Sequence, residues 1–207
     1  LAEWLITRYL MRRPCSLADG TAVITAFVMA LCLPVRTPFW TVVLGAFGAI
    51  GLGKLVYGGA GRNSVNPAIV GVCVTLLCPG SLVLSPGMGY GVKSPYLFAL
   101  AMILGLGFML WKRIITWHIP ISIIVTTIVL AGVTAVADPA YADPFNLVLG
   151  GGTLLGAVFM ATDYTTSPMS RPGKIFYGIA IAAIAVMLRT HGEERNAMLI
   201  AIFAMNI

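Results

Sequence analysis

Asp163 stands directly behind the apolar run Phe145–Thr162 and is followed by three consecutive hydroxyls, Thr165, Thr166 and Ser167. An acid at the border of an apolar segment marks an ion path or pairs locally. Hydroxyls beside it can satisfy backbone groups freed where a helix breaks. Three roles fit Asp163: binding a cation, stabilising a donor on a flavin ring, or pairing with Arg171. A second polar stretch, Gly58-Gly59-Ala60-Gly61-Arg62-Asn63-Ser64-Val65-Asn66-Pro67-Ala68, places proline as the first residue of a helix, where its missing N–H costs nothing. Asn66 is then the N-cap, at a positive helix end suited to an anion or a carbonyl; a plain loop before a well-capped helix accounts for the same residues. Asn63, Asn66, Thr162 and Asp163 are the candidate polar lining of a site.

Other constellations are missing from the sequence. It holds no HExxH, no dinucleotide fingerprint, no Ser/His/Asp order worth naming and no CxxC. Its four cysteines, Cys15, Cys32, Cys73 and Cys78, lie in or beside apolar stretches, and His118 and His191 are the two histidines. A closed metal site needs about four convergent ligands, so neither a metal nor a catalytic residue is expected. Gly150-Gly151-Gly152 before Thr153 is no phosphate loop, and Gly45, Gly48, Gly51 and Gly53 suit close helix–helix approach.

The elements that must position these residues follow from composition. The 207 residues are 59% hydrophobic and 10% charged. An ordinary soluble domain is about half apolar and about one quarter charged. A core of this size cannot hide that excess. Soluble enzyme, disordered segment and disulfide scaffold are excluded, leaving an integral membrane protein. The net charge of +6 comes from basic residues set singly or in pairs between apolar runs. They read as topology markers rather than as a nucleic-acid surface.

Seven apolar segments can be marked: 21–33, 39–57, 67–78, 96–111, 119–137, 145–162 and 175–188, with an eighth from Ala197. A spanning helix takes roughly 20 residues, which the second, fifth and sixth supply. The first and third are short and bounded by Asp19-Gly20, Pro34, Asn66-Pro67 and Pro79-Gly80. Short, punctuated segments in a polytopic protein point to discontinuous helices around a buried site. If all seven cross, one side collects nine basic residues (Arg8, Arg12, Arg13, Lys54, Arg62, Lys112, Arg113, Arg171, Lys174) and the other four (Arg36, Lys93, Arg189, Arg195). The positive-inside rule makes the 58–66 and 163–174 connections cytoplasmic and the 79–95 and 138–143 connections external. Asp138 and Asp143 read as ordinary loop acids there. Trp4, Trp40, Trp111 and Trp117 fall near segment ends, as interfacial rings do.

In order along the chain, Asp19-Gly20-Thr21-Ala22-Val23-Ile24-Thr25, Leu31-Cys32-Leu33-Pro34, the GGxGxNxxNPA stretch 58–68, Trp111-Lys112-Arg113-Ile114-Ile115-Thr116-Trp117-His118-Ile119-Pro120 and the ATDxxTSP stretch 161–168 resemble the successive motifs of the NqrB/RnfD family. The resemblance runs from about residue 12 to the end of the chain, and it is greater to the D subunits of Rnf complexes than to the B subunits of sodium-pumping NADH:quinone reductases. It implies an all-α polytopic helical bundle with two related half-bundles and discontinuous helices. It also implies a membrane flavoprotein subunit of a redox-driven pump in the inner cell membrane. There electrons pass between ferredoxin and NAD while Na⁺ or H⁺ crosses, in company with other membrane and peripheral subunits and membrane lipid. The implied cofactor is FMN, esterified to a threonine of an S-G-A-T motif on the outer side, with room for a second flavin.

That motif is missing here. Its place in the family is the connection after the NPA segment, here Pro79–Ser94, and the nearby Thr75 lacks the flanking residues. The chain also begins at Leu1 in what reads as a helix and ends at Ile207 inside an apolar run. We therefore expect one transmembrane domain over residues 1–207, truncated at both ends, with a loop near 79–95 that this numbering does not carry; loss of covalent FMN is the other explanation. The competing functions are a B subunit of the quinone reductase, a non-redox permease or channel of the same architecture, and a structural anchor for peripheral redox subunits.

Overall fold

The computed structural model describes residues 1–12, 19–33, 37–59, 61–78, 95–137, 144–149, 152–192 and 196–207. Cys15, Asp138, Asp143, Gly150, Gly151 and the Pro79–Ser94 connection lie outside the described residues, as do Arg13, Arg36, Lys93 and Arg195 of the charge count. Within them every regular element is a helix, the expected outcome for apolar segments that must satisfy their own backbone groups away from water. The chain forms a helical membrane bundle with discontinuous helices.

Sequence punctuation sets the short elements. α2 (Thr21–Cys32) starts after Gly20, whose φ of 69° turns the chain into the helix, and stops where Leu33 becomes extended ahead of Pro34. α4 (Pro67–Leu77) starts with Asn66 as N-cap and Pro67 at its first position, and stops at an extended Cys78. Before them lies α1 (Ala2–Leu5), and between them α3 (Phe39–Ile50). α5 (Pro95–Trp111) and α6 (His118–Ala137) follow. α9 (Arg171–Thr190) opens on a Ser170 cap, and α10 (Ala197–Asn206) ends the bundle. His118–Val136 and Arg171–Thr190 are long and apolar enough to cross a membrane.

The sixth apolar segment departs from expectation. It supplies enough residues to span, yet it forms two pieces, α7 (Pro144–Leu149) and α8 (Thr153–Leu155), with Gly152 between them at φ 72°. That left-handed backbone suits glycine alone at no steric cost, so α8 starts afresh after Gly152. Three helices continue as wide π-helical turns: Ile6–Leu10 after α1, Gly51–Leu55 after α3 and Gly156–Met160 after α8.

α3 and α4 approach closely at Gly45 and Gly71. A Cβ on Gly45 would collide with the Thr75 hydroxyl and Met29, and one on Gly71 would meet the Gly45 carbonyl at 2.9 Å. The main core runs through Ile69 and Val72 of α4, Ile123 of α6, Ala157 beside α8, Ile181 of α9 and Ile202 of α10. A smaller cluster joins Phe98 and Met102 of α5 to Leu154 and Leu155 of α8. Large apolar side chains also cover the outside, among them Leu100, Ile103, Leu104 and Phe108 on α5 and Val125, Val129 and Val133 on α6. An apolar exterior of this kind suits a helical membrane bundle.

Candidate functional site

Two helix ends meet at one end of the bundle. The Asn66 side-chain oxygen accepts from the Ala68 amide at 2.9 Å, and its side-chain amide donates to the Met160 carbonyl at 3.3 Å. One buried side chain thus caps α4 and also holds the last residue of the wide turn after α8. Sequence reasoning placed Asn66 as the cap; the second bond, across 94 residues of chain, is a product of tertiary structure.

Beside that joint opens a cavity of about 230 Å³ lined by Thr21, Ile24, Thr25 and Val28 of α2, Lys54, Gly61, Asn63, Asn66, Pro67 and Ala68, and by Phe159, Asp163 and Thr165. Three of the four sequence candidates, Asn63, Asn66 and Asp163, therefore share one wall system. The fourth does not: the Thr162 hydroxyl turns back and donates to the Val158 carbonyl at 2.6 Å. Asn63 is buried, with its amide donating to the Val65 carbonyl at 3.2 Å.

Asp163 sits in the connection before α9. Burial pushes its carboxyl above the ordinary value, against the bonds it accepts from Thr165 (backbone and hydroxyl), Asn63 and the Tyr164 amide, which favour the charge. The Thr165 hydroxyl lies 3.3 Å from one carboxylate oxygen. No ion pair joins Asp163 to Arg171 among the described residues, so that role is not the one the fold uses.

Lys54 corrects a sequence reading. Taken from the sequence as a topology marker, it is 2% exposed, and its Nζ lies 2.8 Å from the Glu3 Oε1 of an equally buried carboxylate. Nζ also donates to the Thr21 hydroxyl at 2.5 Å and lies 3.6 Å from Asp19 Oδ2. Thr21 in turn donates to Asp19 Oδ1, from its hydroxyl at 2.8 Å and its amide at 3.0 Å. Partial burial works against the Asp19 charge, but the Thr21 bonds and the Lys54 ammonium outweigh it and hold that carboxyl below its ordinary value. A signal for Lys54 existed in the sequence: it is a lone charge within the apolar segment 39–57, and intramembrane charges are costly and functional by default.

Arg189, the second misread marker, is also buried, at the far end of α9. Its guanidinium donates to the Leu147 carbonyl at 2.6 Å and to the Thr153 hydroxyl at 2.7 Å, spanning the break between α7 and α8. It marks a helix junction rather than a surface. Among the described residues no group of three or more His, Cys, Asp or Glu side chains is placed to hold a metal ion.

The chain matches the model of the NQR2, RnfD, RnfE family over residues 1–84 and 88–207. It is 29% identical over 242 aligned positions to the D subunit of the Na(+)-translocating ferredoxin:NAD(+) oxidoreductase complex of Acetobacterium woodii, covering all of this chain and 74% of that one. It is 27% identical to the D subunit of the ion-translocating oxidoreductase complex of Pseudomonas aeruginosa, over 92% of this chain and 71% of the relative. With the D subunit of the same description from Stutzerimonas stutzeri it shares 29% identity, over 96% and 75%. Because the family match takes in nearly every residue, including both polar stretches and all the described helices, this chain belongs to the NQR2, RnfD, RnfE family.

Proposed function

We propose that the chain is the membrane flavoprotein subunit of a redox-driven ion pump, in which electron flow between ferredoxin and NAD drives Na⁺ or H⁺ across the membrane. The observation that carries this reading is the polar cavity at the joint of two helix ends, in a chain whose relatives are named as subunits of ion-translocating oxidoreductases. A permease without redox partners has no comparable support in those names.

The cavity residues fit a flavin ring. Ile24, Val28 and Phe159 offer apolar contact to its faces, while Thr25, Asn63, Asn66, Thr165 and Asp163 offer hydrogen-bonding groups to its edge. Bound there, a flavin supplies one- and two-electron chemistry; the protein supplies orientation and electrostatics. Asn66 fixes the joint, Asn63 and Thr165 orient the Asp163 carboxyl, and burial keeps that carboxyl ready to hold a proton or to release it to water and bind a cation in its place. Covalent FMN belongs to the connection after α4. The match to the family is interrupted at residues 85–87 of that connection. The alignment with the Acetobacterium subunit covers 242 positions against 207 residues here, so 35 of its positions face no residue of this chain. The interruption at that connection favours a threonine-bearing loop there, and the alignment leaves room for one.

The test uses the purified complex in vesicles. Asp163→Asn is expected to lower ferredoxin-driven ion uptake about tenfold or more with the complex still assembled. Full pumping by that variant, or a wild-type complex in which this subunit carries no flavin by fluorescence and extraction, overturns the proposal.

A further inference from the structure

The pair formed by Lys54 and Glu3 is not explained by stability. Buried ion pairs rarely stabilise a fold more than apolar residues of the same volume would. Here the pair is 2% and 1% exposed, and it is built into a cavity wall by a local distortion, the wide turn Gly51–Leu55 that carries Lys54. Lys54 and its bonding partner Thr21 both line the cavity, and Asp163 lines it with them. An ammonium at such a wall favours electron-rich forms of whatever the cavity holds, since charge–charge interaction strengthens as the local dielectric falls. The Glu3 carboxylate at 2.8 Å and Asp19 at 3.6 Å oppose it.

We propose that the buried Lys54–Glu3 pair sets the electron affinity of a flavin held in this cavity, Lys54 raising it and Glu3 lowering it. This rests on the flavin reading of the cavity and adds two positioning residues to it. The two side chains act in opposite senses, so the pair makes a two-directional prediction that a purely structural role does not.

The experiment is a redox titration of the noncovalent flavin in the purified complex, followed by absorbance, for wild type, Lys54→Met, Glu3→Gln and the double variant. At a fixed ambient potential Lys54→Met is expected to lower the ratio of reduced to oxidised flavin about tenfold or more, and Glu3→Gln to raise it by a similar factor. Lys54→Arg, which keeps the charge, stays near wild type. The double variant removes the whole pair, leaves no lone buried charge to unfold the chain, and is expected to lie between the single variants. Flavin that is retained and titrates identically in Glu3→Gln, the double variant and wild type overturns this inference alone. A wild-type complex without noncovalent flavin overturns the reading of the cavity and the inference with it.

Discussion

Asp163 and Lys54 face one cavity, but opposing balances govern them. Glu3, Thr21 and Asp19 surround the Lys54 Nζ as its polar partners; Asp163 loses part of its preference for charge because burial outweighs the bonds it accepts. A raised carboxyl pKa means that the folded chain takes a proton more readily than the unfolded one. Its contribution to stability is full below the ordinary carboxyl range and is lost as pH rises through the raised value. Wild type is therefore expected to lose stability relative to Asp163→Asn as pH climbs out of the ordinary carboxyl range, the gap levelling off once the carboxyl is ionised. Thermal unfolding of both proteins in one detergent across that range checks this, and a pH-independent gap refutes it. The sequence pointed to Asp163, Asn63 and Asn66 because polar side chains are conspicuous beside apolar runs. It did not show that Thr162 would spend its hydroxyl on Val158, because four-residue back-bonding depends on the local helix end. Lys54 was misjudged because a lysine's side-chain environment is set by partners 51 and 33 residues away.

Helix boundaries made by Gly, Asn and Pro are local chemistry, and α2 and α4 begin and end where those residues stand. The break in the sixth apolar segment is less local. A glycine run in a membrane helix serves close packing as readily as a break, and here Gly152 takes a left-handed conformation while Arg189 bonds to Leu147 of α7 and Thr153 of α8. Arg189→Met is expected to destabilise the α7–α8 junction by about 1–3 kcal/mol, the worth of charge-assisted bonds to Leu147 and Thr153, which still bond to each other. Arg189→Lys is expected to recover part of this, since an ammonium lacks the planar fork of guanidinium. Unfolding in mixed micelles measures both, and a wild-type value for Arg189→Met excludes the clamp. The wide turns at Gly51–Leu55 and Gly156–Met160 bring Lys54 to the cavity and Met160 to Asn66. Neither turn leaves a residue signature, because one extra residue per turn changes no hydrophobic pattern long enough to read.

For the molecule as a whole, apolar residues coat the outside, while among the described residues the buried charges lie at two places, Glu3 and Lys54 by the cavity and Arg189 at the α7–α8 junction. The cavity end collects the 58–66 and 163–174 connections, which the basic-residue count assigns to the cytoplasm. Met169, 88% exposed in that second connection, provides the check. In a background with the four native cysteines replaced, Met169→Cys is expected to react with a membrane-impermeant maleimide in inverted vesicles and to be protected in right-side-out cells. The reverse pattern overturns the orientation.

Composition alone determined that the chain lives in a membrane, since surface area cannot be hidden by any fold of this size. Gly, Pro and Asn determined where its short helices start and stop, since these residues act on their own backbone. Which polar groups share a cavity was decided only by tertiary structure. Asn66 meets Met160, Lys54 meets Glu3, and Arg189 meets Leu147 across 94, 51 and 42 residues of chain. No local pattern encodes such pairings, because each depends on where two distant helix ends come to rest.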